Sequence, residues 1–235
     1  PRGATLRAFL RKFHNNLTHE EGTPMSKEIV SDAEVTIVFD GKRCIHSRNC
    51  VLDRPDVFVP NVQGAWIHPE RASADEVLEI AHNCPSGAIQ VQKPDGTAME
   101  KAPIVNTVRV RENGPLAFHA PLTIGDTPDG YRATLCRCGA SKNKPYCDGS
   151  HATSGFVATG EPATTPSEPL AQRNGPLQVE PTRNGPLHVT GDMELVSGTG
   201  RTLNRVTDAW LCRCGHSANK PYCDGTHAKI GFVAE

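Results

Sequence analysis

CRCGASKNKPYCDGSH, Cys136–His151, returns as CRCGHSANKPYCDGTH, Cys212–His227, with 13 of 16 positions identical. Both copies keep the frame C-x-C-x8-C-x3-H, and the substitutions fall at Ala140/His216, Lys142/Ala218 and Ser150/Thr226. The copies therefore differ where metal ligation does not need them.

Side chains on an extended segment alternate with period two, so Cys136 and Cys138 place both sulfurs on one side, where they can chelate one metal. Cys147 and His151 are four apart, and a helix opening at Cys147 would bring thiolate and imidazole onto one face. Asp148 and Ser150 are good helix starters, and the amides of such a start moderate the negative charge of a sulfide cluster. Cys212 with Cys214, and Cys223 with His227, repeat the arrangement.

The repeat extends upstream. VRVRENGPLAFHAPLTIG reads as two strands around Asn113-Gly114-Pro115, with Val108, Val110, Leu122 and Ile124 alternating. NGPLHVTGDMEL from Asn184 overlays NGPLAFHAPLTI from Asn113 at an offset of 71, whereas the cysteine frames are offset by 76. About five extra residues are therefore expected in the turn around Ser197–Gly200 of the second unit. A third NGPL begins at Asn174, read as a local duplication. ATGEPATTPSEP, rich in Pro, Thr and Ala, reads as an extended spacer, so the units are expected to be joined by it and not fused. The units span residues 104–157 and 174–235, with residues 158–173 between them.

Toward the N-terminus, VTIVFD at Val35–Asp40 reads as a strand closed by Gly41. Ser73-Ala-Asp-Glu76 is a capping box that starts a helix burying Val77, Ile80 and Ala81, and Pro85 stops it just after Cys84. Cys44-x5-Cys50, the capped helix and Cys84-Pro-Ser-Gly-Ala-Ile resemble single-cluster ferredoxins over residues 35–92. The resemblance implies a ferredoxin-like α+β domain with Cys44, Cys50 and Cys84 as cluster ligands. Ser47 stands where a fourth cysteine would fall. Three thiolates suit a [3Fe-4S] cluster; a [4Fe-4S] cluster would take its fourth ligand from His46, Ser47, water or an exogenous group. Residues 1–34 read as a leader or vector-derived segment, with Leu6, Phe9, Leu10 and Phe13 at helical spacing and Met25 as an alternative start.

Bulk properties agree with several small, stapled domains. The 235 residues include 5% aromatics, 21 Gly and 19 Pro, which limits what apolar burial alone can hold together. A net charge of −1 without a basic face points to neither nucleic acid nor an anionic membrane, and the chain reads as cytoplasmic. Nine cysteines in three groups of three cannot pair completely as disulfides.

Both repeated segments match C-x-C-x2-[ST]-x3-P-x-C-D-G-[STA]-H, and on those residues the chain resembles the mitoNEET-like CDGSH iron–sulfur family. That resemblance implies a [2Fe-2S] cluster on Cys136, Cys138, Cys147 and His151, and another on Cys212, Cys214, Cys223 and His227. It also implies that two β-rich units interlace as an intramolecular pseudo-dimer, leaving the chain a monomer. Ser141, Pro145, Asp148 and Gly149, with Ser217, Pro221, Asp224 and Gly225, would shape the loops. The expected function is electron transfer, or cluster storage and transfer to protein partners, rather than catalysis; neither a nucleotide-binding glycine loop nor a nucleophile elbow is present. A structural zinc-binding adaptor is the alternative, disfavoured because C-x-C is tight for chelating one zinc.

Overall fold

The computed structural model describes residues 27–234. They form a mixed α+β structure, mostly β, with few and short helices. The helix expected at Leu6–Phe13 lies outside the described residues.

The N-terminal part is a three-stranded antiparallel sheet in which β1 (Lys27–Ser31) pairs with β2 (Thr36–Asp40), and β2 with β3 (Ile89–Gln92). From Lys27 on, the segment expected to be a leader is thus an edge strand of this sheet. Its pattern hides it, because Ile29 faces solvent at 64% exposure. A short helix α1 (Asn49–Asp53) carries Cys50, and α2 (Ala74–Asn83) carries the expected capping box. The Ser73 amide donates to Glu76 Oε2 at 2.8 Å and the Glu76 amide to Ser73 Oγ at 3.4 Å, which satisfies two otherwise orphaned donors. Val77, Ile80 and Ala81 pack from α2 onto Ile37 and Ile89 of the sheet.

The repeats build the rest. The first supplies β4 (Thr107–Val110), β5 (Leu116–Ile124) and β6 (Thr127–Leu135); the second supplies β7 (Leu177–Pro181), β8 (Leu187–Val196) and β9 (Thr202–Leu211). Within each repeat the first two strands pair antiparallel, Val108 opposite Phe118 and Val179 opposite Val189. Each first strand also pairs parallel with the other repeat, Val108 opposite Leu195 and Val179 opposite Ile124. β4, β5, β7 and β8 therefore close into a ring whose two halves have matching registers. The extra residues of the second repeat sit at the β8–β9 turn, as expected: three lengthen the turn itself, since Thr202 begins β9 six positions after Val196 whereas Thr127 begins β6 three after Ile124, and β8 and β9 are each one residue longer than β5 and β6.

Contrary to the expectation that the spacer joins the units without fusing them, they are fused in one sheet and one core, for a physical reason. A β-hairpin of this size with few aromatics cannot bury its apolar face alone. The repeats instead share one core containing Val108, Phe118, Leu122, Leu177, Met193 and Leu195. The intervening segment forms no helix or strand but lies along the body, with the Thr165 amide on Leu203 O at 2.8 Å and the Arg205 amide on Ser167 Oγ at 3.0 Å.

The repeats also cross backbone on backbone where Cys138 and Cys214 form an antiparallel bridge. A Cβ on Gly139 would lie 2.6 Å from Cys214 O, and one on Gly215 would meet Cys138 O closer still. Both glycines have positive φ, 81° and 84°. Gly139→Ala or Gly215→Ala should therefore cost ~1–3 kcal/mol for the left-handed backbone alone, plus the clash. At ~2–4 °C per kcal/mol for a chain of this size, each should lower the thermal midpoint by at least several degrees. Gly149→Ala, at φ 87° with nothing within 4 Å of its Cβ, isolates the strain; equal losses at Gly139 and Gly149 would contradict the close crossing.

Candidate metal centres

β6 and β9 end directly on Cys136 and Cys212, so each strand delivers its C-x-C segment to the crossing between the repeats. Cys136 and Cys138 bring their sulfurs to 3.7 Å, Cys212 and Cys214 to 3.8 Å. The second half of each site approaches as a pair too, with Nδ1 of His151 3.3 Å from Cys147 Sγ and Nδ1 of His227 3.3 Å from Cys223 Sγ. All eight expected ligands of the repeated frame therefore come together as two pairs in each copy. Among the described residues, no three or more His, Cys, Asp or Glu converge as a site for a single ion.

The second pair is made differently from the expected helix opening at the cysteine. Gly149 and Gly225 turn the chain at φ 87° and 82°, and helical structure begins only at Ser150 in the first copy and with α3 (Thr226–Lys229) in the second. Asp148 explains why: its carboxylate accepts from the Lys142 amide at 2.8 Å and the Ser150 amide at 2.9 Å, tying the loop back before the turn. Asp224 does the same with Ala218 and Thr226, and these amide donors hold its carboxyl below the ordinary range. Ser141 and Ser217 donate to Tyr146 O and Tyr222 O, both at 2.6 Å. The loop residues of the frame are thus hydrogen-bonding staples.

Backbone amides point at the sulfurs: Ala140 N lies 3.4 Å from Cys138 Sγ, Gly149 N 3.4 Å from Cys147 Sγ and Gly225 N 3.4 Å from Cys223 Sγ. Such donors favour thiolate over thiol. The hydrogen bond between Cys136 and Cys138 lowers the Cys136 thiol at the expense of Cys138, which is raised, whereas burial pushes Cys147 up to about 11.

Sequence reasoning missed the residue between the paired cysteines. Arg137 and Arg213 point away from the sulfurs and are 1% and 0% exposed. Arg137 donates to Gly114 O at 2.9 Å and Arg111 O at 2.6 Å, and lies 5.4 Å from the Phe156 ring. Arg213 repeats this with Gly185 O at 2.9 Å, Thr182 O and the Phe232 ring at 5.6 Å. Each arginine thus fastens a C-x-C segment onto its own NGPL turn. Burial lowers the Arg137 pKa to about 10, and the largest opposing contribution comes from the charge of Cys212 of the other repeat. Arg213 is likewise depressed by burial and compensated by Cys136. The period-two alternation that aligned the sulfurs carried this signal, since it sends the intervening residue into the fold.

A cavity of about 570 Å³ opens between the repeats, walled by Cys138, Phe156, Val157, Cys214, Ile230 and Phe232. The copies also differ in charge: the offset of 71 places Thr182 in the second repeat where the first has Arg111. His216 turns Nδ1 to Cys214 O at 2.8 Å and is no extra ligand.

In the N-terminal part, Cys44 follows β2, Cys50 sits on α1 and Cys84 ends α2, all three packed against one core. Burial, reinforced by the charges of Cys84 and Cys44, pushes the Cys50 thiol up to about 11. Exposed His46, at φ 53°, turns Nδ1 to within 3.8 Å of Cys44 Sγ, and its amide lies 3.4 Å from the same sulfur.

Two family profiles match these regions. The iron-binding zinc finger of CDGSH type matches residues 86–152 and 184–228, and a divergent 4Fe-4S mono-cluster profile matches residues 30–94. The two repeats are thus similar to the CDGSH iron-binding family. Comparison with curated proteins finds no match. Both matches support iron–sulfur cluster binding, and no described helix is long and apolar enough to cross a membrane.

Burial lowers the His151 pKa, so the imidazole stays neutral, as a ligand must be, below the pH at which a free histidine protonates. Proton competition then sets in on the acid side, and loss of the visible absorption should accelerate as pH falls through and below ~6. Decay no faster at about pH 5.5 than at about pH 8 would show that histidine is not the weak ligand.

Proposed function

We propose that this protein is a multi-cluster iron–sulfur protein that transfers electrons, or stores and donates clusters, to protein partners. The observation that carries this reading is the pairing of ligands: two thiolates 3.7–3.8 Å apart and a thiolate–imidazole pair at 3.3 Å in each CDGSH unit. Two ligand pairs suit two irons bridged by sulfide, whereas a single zinc needs all four ligands on one centre. The donors fit the group in a second respect, since backbone amides already face the thiolate sulfurs.

On this reading Cys136, Cys138, Cys147 and His151 hold one [2Fe-2S] cluster and Cys212, Cys214, Cys223 and His227 another, in a pseudo-dimer completed within one chain. The matching registers of the ring support that arrangement, and a partner copy is then unnecessary. The ferredoxin-like N-terminal domain holds a third cluster on Cys44, Cys50 and Cys84, either [3Fe-4S] or [4Fe-4S] with His46 as the best-placed further donor. When bound, such clusters take up and release single electrons, with one histidine raising the potential above the ~−400 mV of plant-type centres. The chain's own part is to hold the ligands in pairs, supply the amide donors, and keep buried arginine charge beside the thiolates. Catalysis is not required by any of these features, and a cytoplasmic site of action suits the unpaired cysteines.

Iron and sulfide analysis with EPR of the oxidised and dithionite-reduced protein tests the reading. About seven irons per chain would mark two [2Fe-2S] clusters with a [3Fe-4S], about eight a [4Fe-4S], and about four an empty N-terminal site. A colourless protein holding zinc without sulfide would overturn it in favour of the structural adaptor.

A further inference from the structure

The N-terminal domain docks on the first CDGSH unit through groups next to the metal ligands of both. Arg43, the neighbour of Cys44, reaches across to Asp129 of β6 with Nη1 at 3.1 Å and Nη2 at 2.8 Å, and donates to Arg132 O at 2.7 Å. Asp129 Oδ1 also accepts from the hydroxyl of Tyr146, the neighbour of Cys147, at 2.7 Å. The Arg43 guanidinium lies 5.2 Å from the Tyr146 ring centroid. This Arg43–Asp129 pair is nearly buried, its side chains 13% and 8% exposed.

A second arginine locks the same contact. Arg132 of β6 is 3% exposed and enters the N-terminal domain, donating to Cys84 O at 2.7 Å, Ile89 O at 3.0 Å and Ala81 O, and pairing with Glu100 at 2.6 Å. A cation on the last carbonyls of α2 suits the negative end of the helix. Gly87 lets the chains meet, since a Cβ there would strike Arg132 O. Asn143 adds a bond to Lys42 O at 3.0 Å.

The second unit has none of this machinery. At the offset of 76, Asp129 becomes Arg205 and Arg132 becomes Asp208. Tyr222 accepts from Asn204 Nδ2 at 2.9 Å instead, and Asp208 bonds His188 at 2.8 Å on an open face.

We propose that Arg43, Asp129 and Tyr146 form a one-electron bridge between the N-terminal cysteine site and the first CDGSH site, making the first unit, and not the second, its intramolecular redox partner. The inference rests on the electron-transfer reading above. The bridge carries one electron: the N-terminal site is oxidised by one, the first CDGSH site is reduced by one, and dithionite supplies the electron from outside. No bond is made or broken and no proton leaves Tyr146. The contact chain runs from Cys44 through its peptide to Arg43, across two hydrogen bonds, and from Tyr146 through its peptide to Cys147.

The test uses the full cluster-loaded chain, less than one equivalent of dithionite, and freeze-quench EPR to follow the redistribution of the electron between the N-terminal and [2Fe-2S] signals. Tyr146→Phe removes one hydroxyl and Asp129→Asn one charge; each should slow redistribution several-fold with iron content unchanged. Tyr222→Phe, the matched change in the second unit, should leave the rate as in the parent. Unchanged rates in both bridge variants, or equal slowing in Tyr222→Phe, would overturn the proposal, and Tyr146→Phe decides alone if Asp129→Asn does not fold. Protein whose sites take up no electron reversibly would overturn the electron-transfer reading and the bridge with it. Deuterium exchange at Lys42–Cys44 and Tyr146–Cys147 gives a redox-independent readout. Faster exchange at both segments in Tyr146→Phe is expected, and unchanged exchange would contradict the docking itself.

Discussion

The crossing of Cys138 over Cys214 is the contact on which the two CDGSH sites depend. It is an antiparallel bridge so close that neither following residue can carry a Cβ, and it holds both C-x-C segments at the junction of the repeats. The closed ring of β4, β5, β7 and β8 supplies the force that keeps it shut, because each repeat lends its first strand to the other and their apolar faces merge into one core. Neither site is therefore the property of one repeat.

Electrostatics reinforces the interdependence. Arg137 and Arg213 are buried, where an uncompensated charge costs several kcal/mol even after relaxation. Each finds its backbone acceptors in its own NGPL turn and a nearby thiolate in the other repeat. Deprotonating the cysteines to receive metal thus supplies negative charge that the folded arginines require. Metal binding and folding should in this way be coupled through the same few side chains, beyond the general linkage of ligation to folding.

The paired side chains of the repeated frame were legible because their pattern is local: the cysteine spacings, the histidine four positions on, the capping box at Ser73 and the longer turn after Val196 all lie within short stretches. What could not be read depends on distant partners. Arg43, Asp129, Arg132 and Tyr146 have no motif and acquire meaning only when the N-terminal domain meets β6. β1 was hidden by an exposed Ile29, and the exchange of β4 and β7 by the fact that either strand satisfies the same hairpin pattern within its own repeat. The helix expected from Cys147 was displaced by Asp148, whose hydrogen bonds favour a turn at Gly149 over continuous helix. The symmetry of the frame in turn concealed how unlike the two units are outside it, one holding the N-terminal domain and the other presenting His188 and Trp210 on an open face.

Native-state hydrogen exchange tests most directly whether the repeats form one interlocked body. Because β4 and β7 are each held by both repeats, the amides of Val108, Leu122, Leu177 and Leu195 should share one opening free energy and respond together to denaturant. Two classes of exchange, with β4 and β5 opening independently of β7 and β8, would contradict it.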